Sequence, residues 1–386
     1  MRTGHFVPLI ACKQGFSNNV SGHVQLPLHA IRLLADAGHD IHLFTNAPTE
    51  DRPDLPDILP DNITLHYVED ARKRTKVVDG VGGSGRGTSI RRLWKQMGQI
   101  KSLTKELDLE VFHAYGYGRT ATLAAMLRAS GLRTPTVVTL FGLPAAPSGR
   151  EQLIRRFWRG IRIVAATEYV AGLCRGSDLD VTLVRQGAVR SFLAELGGTD
   201  VQPSKRVLFW RDPTVFNGAD LCIEAFGALA PRFPDVTFEM AIRPHWNEVD
   251  GIEALDEAHG NVLIHRFPYD DGVSLADLVT GSLCIPLPFR KHSINPQLAI
   301  AESAAAGIPV ITSDLGSAPE LVEDGVSGRV VPIGDGPATT AAIEELLLDP
   351  DRANRMGQRG AAIMAKDWGW ANYVEEISAV YTGAIG

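Results

Sequence analysis

Apolar helices that end in glycine and lead directly into short strands are the feature that most constrains how this chain can fold. In residues 293–322, a small-residue run with one acid, Glu302, ends at Gly307 and precedes the strand-like segment Val310–Thr312. Glycine ends helices because it adopts the left-handed backbone conformation at no steric cost. Such helix–strand units predict an α/β domain, in which ligands bind at the loops that follow the strands.

The same alternation runs along most of the chain. In the first half, the apolar patterns predict strand His5–Ala11, helix Leu26–Ala37, strands Asp40–Thr45, Ile63–Val68 and Val111–Ala114, helix Thr120–Ser130 and strand Thr136–Leu140. In the second half they predict strand Arg206–Trp210, helix Asp220–Ala230, strands Val236–Ala241, Val262–His265 and Leu283–Pro286, and a last helix, Tyr373–Tyr381. This order is typical of parallel, doubly wound sheets. The polar stretch Leu196–Lys205, with its glycines and proline, is the predicted linker between two domains.

Length and composition fit a globular protein of two domains. The chain has 386 residues, of which 45% are hydrophobic and 22% charged, which is not the composition of a disordered chain. No apolar run approaches the roughly 20 residues of a membrane-spanning helix. The N-terminal segment lacks a signal-peptide core and cleavage site, so a cytoplasmic location is expected. The four cysteines show no metal-ligand spacing and are expected to be buried free thiols.

Charge is distributed unevenly along the chain. Residues 1–200 hold 25 Lys and Arg against 19 Asp and Glu, whereas the remainder holds 13 against 26. Residues 71–105 are especially basic, with ten basic residues and one acid, Asp79. Such a local excess attracts anions or an anionic membrane surface. Nucleic-acid binding is a poor interpretation, because the net charge is −7 and no recognised binding module is present.

The segment 293–322 resembles the nucleotide-binding half of the family 4 retaining glycosyltransferases, which have the GT-B fold. The family pattern is Glu, seven residues, Glu, a small-residue helix, Gly-x-Pro-Val and a loop with Pro-Glu. The matching residues are Glu302, Ala304–Gly307, Pro309–Val310, Gly316 and Pro319–Glu320. Where the family has its first Glu, this chain has Ile294. Further similar segments make the resemblance cover nearly the whole chain: Leu33–His39, Asp108–Ala114, Thr134–Gly142, Phe209–Ala225 and the terminal helix.

The resemblance implies an α/β fold of the GT-B type, with two Rossmann-like doubly wound domains facing each other across a cleft. The expected bounds are residues 1–195 for an N-terminal acceptor-binding domain and 205–366 for a nucleotide-sugar-binding domain. Residues 367–386 are expected to form a helix that crosses back to the first domain.

The resemblance also implies roles for individual residues on the donor side. A transferase must stabilise the negative charge that develops on the departing diphosphate. Arg211 matches the family's phosphate-binding Arg, with an ion pair to Asp212 or another acid as the alternative. Glu302 matches the Glu that binds the nucleotide ribose, with an ordinary helix-terminal charge as the alternative. The other residues expected near the donor are Ser21, Gly22, Asn217, Asn295, Pro296, Gln297, His265 and Phe267.

Several of these donor-side residues have an alternative interpretation or a more specific expected role. Ser21 and Gly22 match a Gly-Gly loop but also fit a plain turn before a helix. Asn295 and Gln297 are hypothesised to replace part of the polar contact that Ile294 lacks. His265 and Phe267 are expected to neighbour the base of the nucleotide.

The acceptor region is expected to include His113, Phe141 and Arg86. His113 lies in a His-Ala pair after a strand, and a buried structural histidine is the alternative. Phe141 stands where the family has a histidine beside glycine. The glycines at positions 80, 82 and 85 match a dinucleotide-binding pattern without its helix start or its acid. This segment, with Arg86, is therefore interpreted as a mobile basic loop able to close over an acceptor.

Three departures from the family pattern concern the donor: Phe141, Asn217 in place of a lysine, and Ile294. Each removes a charge or a polar contact, and an unpaired polar group at a buried site costs about 1–3 kcal/mol. Either the donor differs from the usual hexose, or other residues compensate, or transfer has been lost.

A further basic run, Arg150–Arg162, contains five arginines beside Leu153, Phe157 and Trp158. It fits a helix that lies on a membrane surface. It fits equally a solvated helix face that packs through Phe157 and Trp158.

Two functions therefore remain open from the sequence. The first is a retaining glycosyltransferase of hexosyltransferase type, without cofactor or obligatory metal, that moves a sugar from a nucleotide-diphosphate donor to an anionic or membrane-linked acceptor. It would be cytoplasmic, with peripheral contact at the inner membrane face. The second is a non-catalytic GT-B protein that binds a nucleotide or a partner without transfer.

Overall fold

The computed structural model of the protein describes residues 1–8, 22–46, 62–71, 89–177, 179–189, 205–243, 245, 247–267, 269, 272–291 and 294–386. The chain divides into two compact units. Unit 1 comprises Met1–Gln186 together with Trp370–Gly386, and unit 2 comprises Gly187–Gly369. Residues 190–204, which include nearly all of the predicted linker, lie outside the described residues.

Unit 1 contains a seven-stranded parallel sheet with the strand order β3-β2-β1-β4-β5-β6-β7. Its strands are β1 Arg2–Phe6, β2 Asp40–Asn46, β3 Ile63–Val68, β4 Val111–Gly116, β5 Thr136–Leu140, β6 Arg162–Ala165 and β7 Val181–Leu183. Its helices are α1 Gly22–Asp36, α2 Ile90–Glu106, α3 Gly118–Ala129, α4 Gly149–Arg156, α5 Glu168–Arg175 and the terminal helix Tyr373–Ile385. Strand order reverses between β1 and β4, which makes this sheet doubly wound.

One face of this sheet is covered by α2, α3, α4 and α5. Right-handed crossovers place all four helices on the same face. They share an apolar core that includes Met97, Ala121, Trp158 and Ala171. Helix α4 begins with a complete capping box, in which Ser148 and Glu151 satisfy each other's backbone N–H groups.

A buried polar network binds the terminal helix to the sheet of unit 1. The two ring nitrogens of His113 lie 2.7 Å from the Tyr381 hydroxyl and 2.8 Å from Thr139 Oγ1. His5 Nδ1 lies 3.1 Å from the Tyr115 hydroxyl, which in turn hydrogen-bonds Tyr381. All five side chains are buried, and burial lowers the pKa of His113 well below its usual value. These contacts favour the structural alternative for His113.

Unit 2 contains two three-stranded parallel sheets, ordered β10-β9-β8 and β11-β12-β13, which a parallel bridge between Val207 and Cys284 joins. The strands are β8 Arg206–Phe209, β9 Thr237–Ile242, β10 Val262–Arg266, β11 Ile285–Leu287, β12 Val310–Ser313 and β13 Gly328–Val331. The helices are α6 Ala219–Leu229, α7 Ile252–Ala258, α8 Leu275–Thr280, α9 Leu298–Ala305, α10 Ala318–Leu321, α11 Gly336–Leu348 and α12 Pro350–Asp367, so the terminal helix is α13. A 3₁₀ turn, Val215–Asn217, precedes α6. Strand order reverses between β8 and β11.

Most predicted strands and helices agree with the structure to within a few residues at their ends. The first strand is wrongly placed, because β1 covers Arg2–Phe6, where Arg2 pairs with Asp40 and Phe6 with Phe44. Cys174, Cys222 and Cys284 are buried free thiols, whereas Cys12 lies outside the described residues. Across the described part of the chain, no helix is both long enough and apolar enough to span a bilayer.

Candidate functional site

The candidate site lies in unit 2, at the carboxyl ends of β8 and β11, where the strand order reverses. In doubly wound sheets this is where ligands bind. Trp210 Nε1 donates a hydrogen bond to Ser303 Oγ at 3.0 Å, and this hydroxyl donates to the Ala299 carbonyl at 2.7 Å. Trp210 immediately precedes Arg211, and Ser303 immediately follows Glu302. The contact therefore fixes the loop that carries Arg211 against the helix that carries Glu302.

Glu302 is a buried carboxylate in the body of α9. Its residue is 1% exposed, and it is the fifth of the eight residues of Leu298–Ala305. A solvated charge at a helix terminus, the alternative considered from the sequence, would be exposed. Burying a carboxylate costs free energy unless polar groups meet it, so a carboxylate kept at this position is a candidate ligand-binding group.

Arg211 is partly buried just after the end of β8, and its Nε atom is buried. Its neighbour Asp212 forms an ion pair with Arg243, with 3.3 Å between Asp212 Oδ1 and Arg243 Nε. A second guanidinium, at the end of β9, is thus paired with the residue that follows Arg211. Because Asp212 balances the charge of Arg243, Arg211 is the candidate at this edge for contact with a phosphorylated ligand.

The loop before α9 is held by internal hydrogen bonds. Asn295 Oδ1 accepts from the backbone N–H of Ser317 at 3.1 Å and from its hydroxyl at 2.8 Å. Pro296 follows through a cis peptide bond, and Gln297 is buried at the N-cap of α9. Ile294 is buried as well. The side-chain carbonyl of Asn295 therefore fastens this loop to the loop after β12. In the first turn of α9 the N–H of Ile300 already donates to the Gln297 carbonyl, and the N-terminus of the helix directs its positive potential toward this loop.

The loop between β8 and α6 is also closely packed. Asn217 Nδ2 donates to the Asp212 carbonyl at 2.8 Å. Gly218 has a φ of +77°, and a Cβ atom at this position would lie 2.2 Å from the Pro288 carbonyl oxygen. Only glycine fits this approach without movement of one of the two loops. Asn217 thus stabilises its own loop, at the position where a lysine was expected from the resemblance.

Two cations that the sequence pattern did not identify, Arg290 and Lys291, lie in the loop that follows β11. Arg290 Nη1 lies 2.6 Å from an Asp220 carboxylate oxygen and donates to the Val215 carbonyl at 3.3 Å. Lys291 Nζ lies 5.2 Å from the centre of the Phe216 ring. Both cations therefore stand beside the turn that contains Asn217. The available signal was a pair of adjacent basic residues directly after a strand at the binding edge.

His265 is engaged within the sheet of unit 2. Its Nε2 lies 3.0 Å from Glu239 Oε2, and Arg206 Nε donates to Glu239 Oε1 at 2.7 Å. Burial alone would raise the pKa of the Glu239 carboxyl, but the hydrogen bonds from His265 and Arg206 outweigh it and the pKa is lowered. Phe267, just after β10, contacts the edge of Tyr269 with ring centres 5.6 Å apart. This aromatic pair, rather than His265, is the group at the carboxyl edge that is suited to a planar base.

The residues of unit 1 that were predicted to contact a ligand show fewer features of a binding site than those of unit 2. Gly22 is the first residue of α1, whereas Ser21 and Arg86 lie outside the described residues. Phe141 is fully buried and contacts Tyr117 edge-on, with ring centres 6.3 Å apart. Like His113, it occupies the core, which favours a structural role over contact with an acceptor.

No group of three or more His, Cys, Asp or Glu side chains among the described residues is arranged to hold a metal ion.

Comparison with protein families gives two matches that together span most of the chain. Residues 205–349 match the model "Glycosyl transferases group 1", and residues 21–186 match the model "Glycosyl transferase 4-like domain".

Curated relatives match over part of their length. The chain is 38% identical over 174 residues to the GDP-mannose-dependent alpha-(1-6)-phosphatidylinositol monomannoside mannosyltransferase of Mycolicibacterium smegmatis, a match that covers 43% of this chain and 44% of the relative. It is 28% identical over 200 residues to the alpha-D-kanosaminyltransferase of Streptomyces kanamyceticus, covering 50% and 49%. The chain thus spans about half the length of the curated relatives it matches.

Solved structures resemble the fold of this chain over nearly its whole length, although their sequence identity to it is low. The sucrose-phosphate synthase of Thermosynechococcus elongatus gives a TM-score of 0.73 at 16% identity and covers 99% of both chains. Anabaena Alr3699/HepE in complex with UDP-glucose gives 0.68 at 14% identity and covers 99% of this chain and 100% of that one. These likenesses show the fold, which is GT-B with two Rossmann-like domains.

Proposed function

The chain belongs to the family 4, group 1 glycosyltransferases, and on that premise we propose that it transfers a sugar, with retention of anomeric configuration, from a nucleoside-diphosphate donor bound to unit 2. One observation carries the proposal: the hydrogen bond from Trp210 to Ser303, which fixes the loop of Arg211 against the helix of Glu302. This contact supports a site in which Arg211 supplies a cation for the diphosphate and Glu302 a buried carboxylate for the ribose hydroxyls, both at the same switch point.

Each group has a distinct task in this proposal. The Arg211 guanidinium stabilises the negative charge that grows on the diphosphate as the bond to the sugar breaks. The Glu302 carboxylate accepts hydrogen bonds from the two vicinal ribose hydroxyls. The N-terminal N–H groups of α9 contribute further positive potential toward the phosphates. None of these tasks requires a metal ion.

Lys291 is proposed to supply the positive charge that Asn217 lacks. Its loop contacts the turn of Asn217 directly, because the backbone N–H groups of Arg290 and Lys291 both donate to the Phe216 carbonyl, at 2.9 and 3.2 Å. Arg290 is already neutralised by Asp220, whereas among the described side chains no acid forms an ion pair with Lys291, whose ammonium lies over the face of Phe216. A lysine is a compact cation on a flexible stem, so it can turn from the ring to a phosphate.

The acceptor is proposed to be anionic or membrane-linked, with the reaction at the inner face of the membrane. The basic segment 71–105 and the mannosyltransferase relative, whose printed name specifies a phosphatidylinositol monomannoside, both support this choice. A hexose or a modified hexose is the expected sugar, since the names of the relatives include a mannosyl- and a kanosaminyltransferase.

The test is binding and turnover of GDP-, UDP-, ADP- and TDP-sugars, beginning with GDP-mannose, by calorimetry and by mass detection of released nucleotide. We expect one nucleotide to bind selectively and to be released slowly without acceptor. Glu302→Gln and Arg211→Gln should each weaken binding by tenfold or more, because each removes a charged hydrogen-bonding partner, worth about 1.5–3 kcal/mol. The matched surface controls Glu323→Gln and Arg355→Gln should bind normally.

The second candidate is a non-catalytic GT-B protein. The buried Ile294 and the internally engaged Asn217 favour it, because neither offers a charge to the donor. Selective nucleotide binding without any release of nucleotide, under all sugars and acceptors tried, would favour this candidate. Failure to bind any nucleotide would show that the proposed donor site is wrong.

A further inference from the structure

Helix α4 and the turn after it expose an apolar pair on the surface of unit 1. Phe157 is 71% exposed and Leu153 is 55% exposed. The two are four residues apart and are therefore neighbours on one helix face. The opposite face is packed: Trp158 is buried and its Nε1 donates to Thr122 Oγ1 at 3.3 Å. The packing expected from the sequence through Phe157 and Trp158 thus holds for Trp158 alone.

Three arginines surround this apolar pair, Arg150, Arg156 and Arg159, and all are exposed. Within the described residues, none of the three forms an ion pair. The neighbouring carboxylates already have partners: Glu151 with Ser148, Glu168 with Arg175, and Asp180 with Arg162. By contrast, Arg155 on the packed face donates to Ser177 Oγ and to the Pro144 carbonyl. We call Arg150, Leu153, Arg156, Phe157 and Arg159 the α4 surface.

We propose that the α4 surface docks onto an anionic lipid bilayer, with Leu153 and Phe157 entering the headgroup region and the three arginines contacting lipid phosphates. Apolar side chains ringed by cations are the pattern of interfacial membrane binding. The positive charge complements the negative surface of such a membrane. This contact involves no residue of the donor site, so it stands or falls independently of the proposed transfer reaction.

Other occupants fit the α4 surface less well. A soluble anionic polymer would pair with the arginines but would leave Leu153 and Phe157 in water. A stable protein interface buries about 800 Å² on each partner and needs a well-packed apolar centre. Two side chains on one short helix are too few for that, whereas they suffice as anchors beside a charged membrane.

The test is flotation of the 386-residue chain with vesicles of phosphatidylcholine alone and with vesicles in which roughly a third of the lipid is anionic phosphatidylglycerol. We expect binding to the anionic vesicles only, weakened by salt. One arginine near an anionic surface is worth about fivefold in affinity, so Arg156→Glu with Arg159→Glu should weaken binding by at least about 25-fold. Phe157→Ser should weaken it by about tenfold.

The matched control is Arg355→Glu with Arg359→Glu on α12 of unit 2, which changes net charge equally at two exposed arginines. It should bind vesicles nearly as well as the unchanged protein. A Phe157→Trp variant should in addition show quenching by bromine-labelled lipid beyond that of the unchanged protein. Circular dichroism and thermal unfolding of each variant separate lost docking from lost folding.

Four results would overturn the proposal: no binding to anionic vesicles, equal loss in the α12 control, normal vesicle binding by the α4 variants, or no additional quenching in the Phe157→Trp variant while it is bound. The last result, together with equally strong binding to soluble polyanions, would identify a polymer-binding surface instead. Normal vesicle binding by the α4 variants would mean that another part of the chain contacts the membrane.

Discussion

Gly218→Ala is the substitution whose cost the structure defines most directly. Two terms contribute to it. A left-handed backbone conformation, here φ +77°, costs a residue with a Cβ about 1–2 kcal/mol. The new Cβ would also lie 2.2 Å from the Pro288 carbonyl oxygen, so one of the two loops must move, and overpacking of this kind typically costs about 1–3 kcal/mol. We expect a total of about 2–5 kcal/mol.

Gly325→Ala separates the two terms. Gly325 has a φ of +73°, but its Cβ would meet no atom within 4 Å, so it carries the backbone term alone. The assay is urea unfolding of the full chain, followed by the fluorescence of buried tryptophans such as Trp210 in unit 2. We expect Gly325→Ala to lose about 1–2 kcal/mol and Gly218→Ala clearly more. Equal losses would refute the reasoning, because the close approach of the loops would then cost nothing.

A second readout links the packing to the site. Movement of the Gly218 loop away from Pro288 would carry Asn217 and the neighbouring turn with it. Gly218→Ala should therefore weaken nucleotide binding, measured by calorimetry under conditions where the protein stays folded. Gly325→Ala should leave it unchanged.

Three further predictions follow from contacts in the two units. Tyr381→Phe leaves buried His113 without one of its two partners and should cost about 1–3 kcal/mol in the unfolding of unit 1; a cost near zero would show that the network is not stabilising. Burial lowers the pKa of the His5 imidazole from 6.5 to about 3. Between these two pH values this residue binds more protons in the unfolded chain than in the folded chain, so the free energy of unfolding should fall as the pH falls through this window. His5→Gln should flatten that part of the dependence of the melting temperature on pH. Lys291→Ala should weaken donor binding by about tenfold, whereas Lys291→Arg, which keeps the charge, should bind nearly as well as the unchanged protein. If the two variants bind the donor with the same affinity, the charge of Lys291 does not contribute to the site.

Strand and helix order could be read from the sequence because it depends on local patterns. The strand Ile63–Val68 and the strand Thr136–Leu140 lie at the predicted residues. The prediction of the first strand was wrong because apolar residues continue beyond Phe6, and nothing in the local pattern indicates where pairing with β2 ends. Register is a property of two strands together.

The site was predictable only in part. Arg211 and Glu302 were selected because they match a pattern, and their loop and helix do meet through Trp210 and Ser303. Asn217 and Asn295 were selected as ligand contacts, yet both side chains hydrogen-bond within their own scaffold. Asn217 donates to the Asp212 carbonyl, whereas Asn295 accepts from the Ser317 hydroxyl. The sequence does not indicate which hydrogen-bond partner a side-chain amide has in the folded chain.

The sequence by itself determined the class of fold, the order of its elements and the family, because hydrophobic period, glycine stops and motif spacing are properties of short segments. Only the tertiary structure decided that His113 is enclosed by Thr139 and Tyr381, and that Arg290 and Lys291 stand beside the turn of Asn217. The physical reason is the same in both cases. Burial and hydrogen-bond pairing join residues that are far apart in the chain, so the environment that sets a side chain's role exists only once the sheets have formed.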